Sequence, residues 1–302
     1  MGQSIFTASE TKKLTNVCLN LLLKTLARTT RALALEARSA YIVITRRQFS
    51  LLSGGALISL ALSSCRSQPD NRDGNDGRLT ARPRSNVETS INGEQPLGLD
   101  TARDAIIKLP AKLPSAPLPL VVMLHGAGQS AEWMLGRVAS AADEASVAIL
   151  VPYSRDYSWD AVHGSFGPDV TFINRALERV FDSVAVDPLR TAIGGFSDGA
   201  TYAISLGLIN GDIFNRVIGF SPGFVIEGST NGNPEFFVSH GTEDPILPID
   251  RCGRRVVKGL TQRGYSVTFR EFEGKHEVPA NIAQEAMGWL AGRPVAAHSV
   301  SL

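Results

Sequence analysis

The sequence predicts an α/β protein in which helices flank a mostly parallel sheet. From about residue 97 onward, short apolar runs alternate with longer amphipathic stretches, which is the pattern of successive strand and helix units. Several of the apolar runs are nearly continuous, as expected for parallel strands that are buried on both faces. With 43% hydrophobic and 20% charged residues among 302, the chain can build a sizeable core.

The pattern predicts six strands and four helices. The helical candidates include a last helix after Pro279, a residue that suits a first helical turn, in which Ile282, Ala286 and Trp289 share one face. The predicted strands are 118–124, 147–151, 191–194, 217–220, 235–239 and 267–272, and the other helices are 131–145, 170–184 and 200–208.

The first 65 residues are predicted to be an N-terminal extension that carries an export signal. Up to residue 47 they contain eight Lys and Arg against two acidic residues, and an uncharged stretch follows. The segment TRRQF at 45–49 resembles the twin-arginine export motif, and LSSC at 62–65 resembles a bacterial lipobox. We therefore expect a lipoprotein anchored through Cys65 on the periplasmic or extracellular side. An uncleaved anchor and an ordinary cleaved signal are the alternatives.

Three further regions follow the signal. Residues 66–96 are rich in Asp, Asn, Gly, Arg, Ser and Pro, contain no aromatic residue, and are predicted to be a flexible linker because they bury too little apolar surface. Residues 97–294 form the predicted catalytic domain, and 295–302 form a tail.

Charge and cysteine content exclude several functions. The 30 Lys and Arg residues nearly balance the 29 Asp and Glu, so no nucleic-acid partner is expected. Of Cys18, Cys65 and Cys252, only Cys252 would remain as a free thiol in a lipidated mature chain. Neither a disulfide framework nor a metal site nor a cofactor is predicted.

A candidate nucleophile lies where a predicted strand meets a predicted helix. The segment GFSDG at 195–199 follows the strand that ends at 194 and precedes a helix that begins near 198. In so tight a turn, the positions two before and two after the serine crowd the neighbouring backbone, which favours glycine. The serine itself is held in a strained conformation. The sequence therefore predicts that the Ser197 hydroxyl is exposed at the start of the helix.

Three other polar segments also follow predicted strands. They are HGAGQ at 125–129, HGTEDP at 240–245 and GKHEVP at 274–279. The last of these lies between the last strand and the last helix, and it contains His276. The chain order Ser, Asp, His across successive strand ends is the order found in α/β-hydrolases.

Taken together, these segments resemble the bacterial phospholipase/carboxylesterase group of α/β-hydrolases. There is further likeness to secreted esterases of the polyhydroxybutyrate-depolymerase-like and feruloyl-esterase-like type, and it covers roughly residues 100–292. The resemblance implies the α/β-hydrolase fold without a large lid domain. The four motifs that carry it are LHGAGQS, GGFSDGA, HGTEDPILP and GKHEVP.

The resemblance also implies a catalytic triad. It makes Ser197 the nucleophile, Asp244 the acid and His276 the base, with Glu243 as the local rival of Asp244. In related enzymes of this fold the elbow carries Asp in dehalogenases and Cys in dienelactone hydrolases, so serine indicates acyl transfer to water.

The oxyanion donors implied by the resemblance are the backbone N–H groups of Ala127 and Asp198. Two donors aimed at the developing oxyanion lower the barrier to acyl transfer. His125 is expected to brace this loop rather than to take part in the reaction. Asp198 is a departure from the carboxylesterase branch, where Gln is common at this position.

The sequence thus favours a carboxylic-ester hydrolase that acts on a small-molecule or polymeric ester. A peptidase or thioesterase of the same fold is the alternative within enzymes. A surface lipoprotein that uses the fold only for binding is the alternative outside them.

Two observations bear on substrate size. Between residues 221 and 235, where lipases of this fold often insert a lid, only a few apolar residues and a short polar loop occur, so short or exposed esters are expected. Three aromatic residues after the second predicted strand, Tyr153, Tyr157 and Trp159, either shape an open substrate cleft or simply pack.

Overall fold

A computed structural model describes residues 76–294 of the chain, and within them it contains eight strands and six helices. The strands are β1 (Glu94–Pro96), β2 (Ala105–Lys108), β3 (Leu118–Leu124), β4 (Ala148–Pro152), β5 (Val186–Phe196), β6 (Arg216–Phe220), β7 (Glu235–Gly241) and β8 (Val267–Phe272). The helices are α1 (Ala131–Ala145), α2 (Asp160–His163), α3 (Pro168–Ser183), α4 (Asp198–Ile209), α5 (Gly253–Gln262) and α6 (Ala280–Leu290).

The strands form one sheet in the order β1-β2-β4-β3-β5-β6-β7-β8. Strand β2 pairs antiparallel with both β1 and β4, and all other neighbours pair parallel. The chain leaves β3 for β4 on one side and then returns to β5 on the other side. The carboxyl ends of β3 and β5 therefore flank the crevice at which open α/β sheets bind their ligands.

The core lies on both faces of the sheet. Along β3, Leu120, Val122 and Leu124 pack into one apolar cluster, which includes side chains of α3, α4 and α5. The alternate residues Val121 and Met123 pack into the other cluster, with α1 and α6. Because both faces are buried, β3 reads as a continuous apolar run.

The predicted α/β fold is confirmed, including all six predicted strands and four predicted helices. Strands β1 and β2 and helices α2 and α5 are not predicted by the apolar pattern, and α2 has only four residues. The two strands are short and partly exposed, and α5 buries few large side chains. The segment between β6 and β7 contains no helix, in agreement with the expected absence of a lid.

The flexible linker predicted at 66–96 needs a correction over its described part, 76–96. The Leu79 side chain is 1% exposed and belongs to the core. Its backbone N–H donates to the Asn210 Oδ1 atom at 2.8 Å, and the Arg78 guanidinium pairs with Asp212 at 2.9 Å. The composition of the segment does not indicate this packing, because a few apolar residues and distant polar partners suffice to hold it against the domain.

The export signal and Cys65 lie outside the described residues, as do the remainder of the linker and the tail 295–302. Within 76–294, no helix combines the length and apolarity needed to cross a membrane. No cluster of side chains suited to a metal ion occurs in the same residues.

We predict that Leu79→Ala lowers the free energy of unfolding by about 2–5 kcal/mol, because it leaves a cavity in the core. Urea unfolding followed by circular dichroism measures the change. Leu113→Ala, at a position that is 40% exposed, is the matched control and should have a much smaller effect. Equal stabilities for Leu79→Ala and the wild type would mean that this segment does not contribute to the fold.

Candidate active site

Ser197 occupies a strained turn between β5 and α4. Its backbone angles are φ 57° and ψ −120°, which place a non-glycine residue at positive φ. The turn is fixed on both sides: the Ser197 N–H donates to the Phe220 carbonyl at 2.9 Å, and the Ser197 carbonyl accepts from the Thr201 N–H at 3.0 Å. The strain is thus held by the neighbouring strand β6 and by the first turn of α4.

The glycines on either side of this turn are required by close backbone contacts. A Cβ atom at Gly195 would lie 2.4 Å from the carbonyl carbon of Gly199. A Cβ atom at Gly199 would lie 2.3 Å from the Leu124 carbonyl oxygen. Real side chains do not tolerate such distances, so the start of α4 can sit against the end of β3 only with glycine at both positions.

The acid and base predicted from the sequence meet at the neighbouring strand ends. Asp244 follows β7, His276 follows β8, and the Asp244 Oδ2 atom lies 2.6 Å from the His276 Nδ1 atom. The other carboxylate oxygen accepts the N–H groups of Ile246 and Leu247 at 2.9 and 2.8 Å. Asp244 is buried, whereas its rival Glu243 is exposed. The geometry therefore places Asp244, and not Glu243, against the histidine.

The environment of Asp244 keeps its carboxylate ionised. Burial acts to raise its pKa, but the Leu247 N–H, the His276 ring and the Ile246 N–H outweigh burial and hold the pKa below its usual value. A carboxylate that remains negative can orient the histidine and stabilise the imidazolium form.

The His276 ring lies beside the residue that precedes the nucleophile. Its centroid is 4.6 Å from that of the Phe196 ring. Within residues 76–294, no hydrogen bond joins the Ser197 hydroxyl to His276. Hydrogen bonds of this kind are often long before a substrate binds.

The loop after β3 is held by its own backbone and by the loop after β4. The Gly128 N–H donates to the Tyr157 carbonyl at 2.7 Å, and the Gln129 N–H donates to the Gly126 carbonyl at 3.1 Å. In the described part of the chain, the backbone N–H groups of Ala127 and Asp198 have no protein acceptor. They remain available for a ligand, as the resemblance implies for oxyanion donors.

His125 is fully buried beneath this loop. Its Nδ1–H donates to the Gly126 carbonyl at 2.8 Å, and its Nε2 atom accepts the Ser154 N–H at 3.1 Å. Burial lowers the pKa of His125, which favours the neutral ring that this pattern requires. These contacts agree with a bracing role.

Comparisons with known proteins agree with this architecture. Residues 170–291 match the model of the phospholipase/carboxylesterase family. Over 160 residues the chain is 29% identical to feruloyl esterase C of Emericella nidulans, covering 49% of this chain and 57% of that protein. The S-formylglutathione hydrolase of Staphylococcus aureus superposes with a TM-score of 0.53 at 16% identity, covering 66% of this chain and 98% of that one. The chain has the α/β-hydrolase fold.

The chain is also similar to a thioesterase. The chain is 27% identical to acyl-protein thioesterase 1 of Emericella nidulans over 112 residues, which cover 34% of this chain and 46% of that protein. In general the chain spans about half the length of the curated relatives it matches.

One of the aromatic residues considered for substrate binding, Trp159, needs a correction. Trp159 is 0% exposed, and its indole N–H donates to the His125 carbonyl at 2.8 Å, so it packs beneath the loop and lines no cleft. The Tyr153 hydroxyl donates to the Glu132 carboxylate, and its ring packs against His125. Tyr157, in contrast, is 69% exposed.

Tyr157 covers the loop that carries the free N–H of Ala127. A Cβ atom at Gly128 would lie 2.7 Å from the Tyr157 ring, so the two are in close contact. Of the three aromatic residues, Tyr157 is therefore the most exposed.

Two residues beside the site are missed by sequence reasoning. Trp133, in the first turn of α1, lies 5.4 Å from the Phe196 ring. His240 donates its Nε2–H to the Leu247 carbonyl at 2.7 Å, and Nε2 also lies 3.2 Å from Asp244 Oδ2. Burial lowers the pKa of His240 and so favours its neutral form. The signal for His240 is its position at the end of β7, four residues before the acid.

A buried carboxylate supports the loop after β4. Asp169 accepts the backbone N–H groups of Arg155 and Asp160 at 2.6 and 2.7 Å, and the Asp160 carboxylate accepts the Tyr202 hydroxyl at 3.0 Å. Burial raises the pKa of Asp169 to about 6. The folded chain therefore binds a proton here more tightly than the unfolded chain does.

We predict that this group makes the wild type less stable as pH rises through roughly 4 to 6, because a raised carboxyl pKa favours the folded state only at low pH. The unfolding free energy of the wild type, compared with that of Asp169→Asn, should fall by up to about 3 kcal/mol across this pH window. Urea unfolding at several pH values measures both curves. Asp182→Asn, an exposed position on the same helix, is the control, and parallel curves for the wild type and Asp169→Asn would contradict the assignment.

Proposed function

We propose that this chain is a serine-dependent carboxylic-ester hydrolase. The observation that carries the proposal is the Asp244–His276 hydrogen bond of 2.6 Å at the same sheet edge as the strained Ser197 turn. An acid–histidine pair beside a half-buried serine at a strained turn is an arrangement that can activate the hydroxyl as a nucleophile. A protein that only binds esters has no physical need for this arrangement.

In the proposed reaction, the His276 Nε2 atom takes the Ser197 proton as the Ser197 Oγ atom attacks the ester carbonyl carbon. The N–H groups of Ala127 and Asp198 donate to the resulting oxyanion, and Asp244 stabilises the imidazolium. When the carbonyl reforms, the ester C–O bond breaks, and His276 gives its proton to the departing alcohol. Water then attacks the acyl-enzyme by the same route and releases the acid and the free serine.

A thioesterase is the second candidate. It is supported by the similarity to acyl-protein thioesterase 1 of Emericella nidulans, and the same steps would break a C–S bond instead of a C–O bond. A substrate panel of matched oxygen esters and thioesters distinguishes the two activities.

We expect Ser197→Ala to lower ester turnover by a factor on the order of a million while leaving the fold intact, as loss of a triad serine does elsewhere. Hydrolysis of para-nitrophenyl butyrate and labelling by a fluorophosphonate probe measure the effect. Ser165→Ala, at an exposed position in the loop before α3, should retain both. A loss smaller than a hundredfold would overturn the nucleophile assignment.

The open approach to the site supports short or exposed esters as substrates. The segment between β6 and β7 lacks a helix, so it offers no lid to shield a long acyl chain from water. Under a lid, burial would stabilise the binding of a long acyl chain by about 0.8 kcal/mol for each CH₂ group.

On neutral esters we expect kcat/KM to be higher for para-nitrophenyl acetate or butyrate than for the palmitate. Steady-state kinetics below the aggregation limit of each ester gives the comparison. A clear optimum at the palmitate would contradict an open site.

We further propose that the protein is exported and lipidated at Cys65, on the sequence motifs alone. Membrane fractionation should find the wild type with membranes and Cys65→Ala in the soluble fraction. Cys252→Ala is the matched control and should behave as the wild type. An unmodified Cys65 in the mature protein, measured by mass spectrometry, would refute the proposal. Multiple acylation matters here because a single acyl chain anchors weakly.

A further inference from the structure

A cavity of about 320 Å³ lies between helix α5 and the segment that follows β6. One wall is formed by Gly223, Phe224 and Val225. The facing wall is formed by residues of α5 and its two ends, among them Arg251, Arg255 and Arg263.

The three arginines line the same cavity. Arg255 and Gly259 lie one turn apart on one side of α5, Arg251 lies just before the helix, and Arg263 caps its C-terminal end. Gly259 leaves the middle of this side open, since a Cβ atom there would meet no other atom within 4 Å. The cavity therefore has room for a ligand beside Gly259, with the arginine side chains among its lining residues.

These positive charges lack the acidic partners that a neighbouring arginine has. Arg254, on the same helix, pairs with Asp250 at 2.7 Å and with Glu271. Among the described residues, Arg251, Arg255 and Arg263 form no ion pair with a carboxylate. Like charges at a spacing of four residues repel each other, so an anion bound between them would be stabilised.

The rest of the lining is apolar. Val256 and Leu260 project from α5, and Phe224 is 48% exposed on the opposite wall. A ligand that fits both features has an anionic group attached to an apolar chain or ring. Arginine binds a carboxylate through paired hydrogen bonds, which suits the anionic part.

The cavity is connected to the catalytic edge by direct contacts. The Gly223 N–H donates to the Thr201 hydroxyl at 3.0 Å, and the Thr201 N–H donates to the Ser197 carbonyl at 3.0 Å. On the other side, a Cβ atom at Gly223 would lie 3.7 Å from the side chain of Leu247, whose N–H binds Asp244. The wall of the cavity is thus attached to both the nucleophile turn and the acid loop.

We propose that this cavity binds an anionic group that the substrate carries at a distance from the scissile ester. The inference rests on the proposed esterase function, and it names the substrate class: esters whose acyl chain ends in a carboxylate. The apolar lining holds the chain, and Arg251 and Arg255 bind its charged end.

The test uses para-nitrophenyl monoesters of linear dicarboxylic acids from 4 to about 16 carbons, each compared with its counterpart capped as a methyl ester. At the length that spans from Ser197 to the arginines, the free acid should have a higher kcat/KM than its capped counterpart. We expect Arg255→Gln to reduce this preference by about tenfold, the size of one charge-assisted hydrogen bond. Turnover of the capped esters should be unchanged.

Two further variants sharpen the test. Gly259→Leu fills the cavity at a position that has room for a side chain, and leucine is a better helix former than glycine, so the variant should fold and lose the preference. Arg254→Gln removes an arginine of the same helix that is already paired, and it should keep the preference. A preference that is absent at every length, or that survives in both Arg255→Gln and Gly259→Leu, overturns the proposal.

A binding measurement separates this inference from the proposed function. Calorimetric titration of Ser197→Ala with the monomethyl ester of sebacic acid should show binding that Gly259→Leu abolishes in the same background. Hydrolysis of capped esters without any preference for free acids would refute the proposed anion binding in the cavity, and the proposed esterase function would stand. Binding without hydrolysis of any ester by the wild type would refute the esterase and retain an anion site.

Discussion

The close approach of α4 to the end of β3 is the contact on which the rest of the site depends. It is possible only because Gly195 and Gly199 place hydrogen where any other residue would place carbon, 2.4 and 2.3 Å from backbone atoms. This contact forces Ser197 to a φ of 57° and brings the first N–H of α4 beside the loop after β3. The positions of the proposed nucleophile and of the proposed oxyanion donors thus depend on one backbone constraint.

The sheet order places the remaining groups around this contact. Strands β6, β7 and β8 follow β5 in parallel, so the loops that carry Asp244 and His276 emerge at the same edge as Ser197. Asp244 is fixed from two directions, by the N–H groups of its own turn and by the His276 ring. Its second histidine contact, from His240, fills the space beneath that turn, where a Cβ atom at Gly253 would lie 2.5 Å from the His240 Nδ1 atom.

Much of this arrangement could be predicted from the sequence, because buried parallel strands and tight glycine turns leave local patterns. The apolar runs locate six strands, and the motifs at their ends locate Ser197, Asp244 and His276. Features that depend on distant partners could not be predicted. Nothing near Leu79 in the sequence indicates its hydrogen bond with Asn210. Nothing near Trp159 indicates that the backbone carbonyl of His125 accepts its indole N–H. An aromatic residue looks the same in sequence whether it lines a cleft or supports a loop.

The bond between Leu79 and Asn210 also determines where the described chain joins the sheet. Helix α4 begins beside Ser197 and ends at Ile209 after 12 residues, a length of about 18 Å. Asn210 follows its last turn, so the described chain starts at the edge of the sheet opposite the catalytic loops. Any group that contacts this end of the described chain lies across the sheet from Ser197, Asp244 and His276.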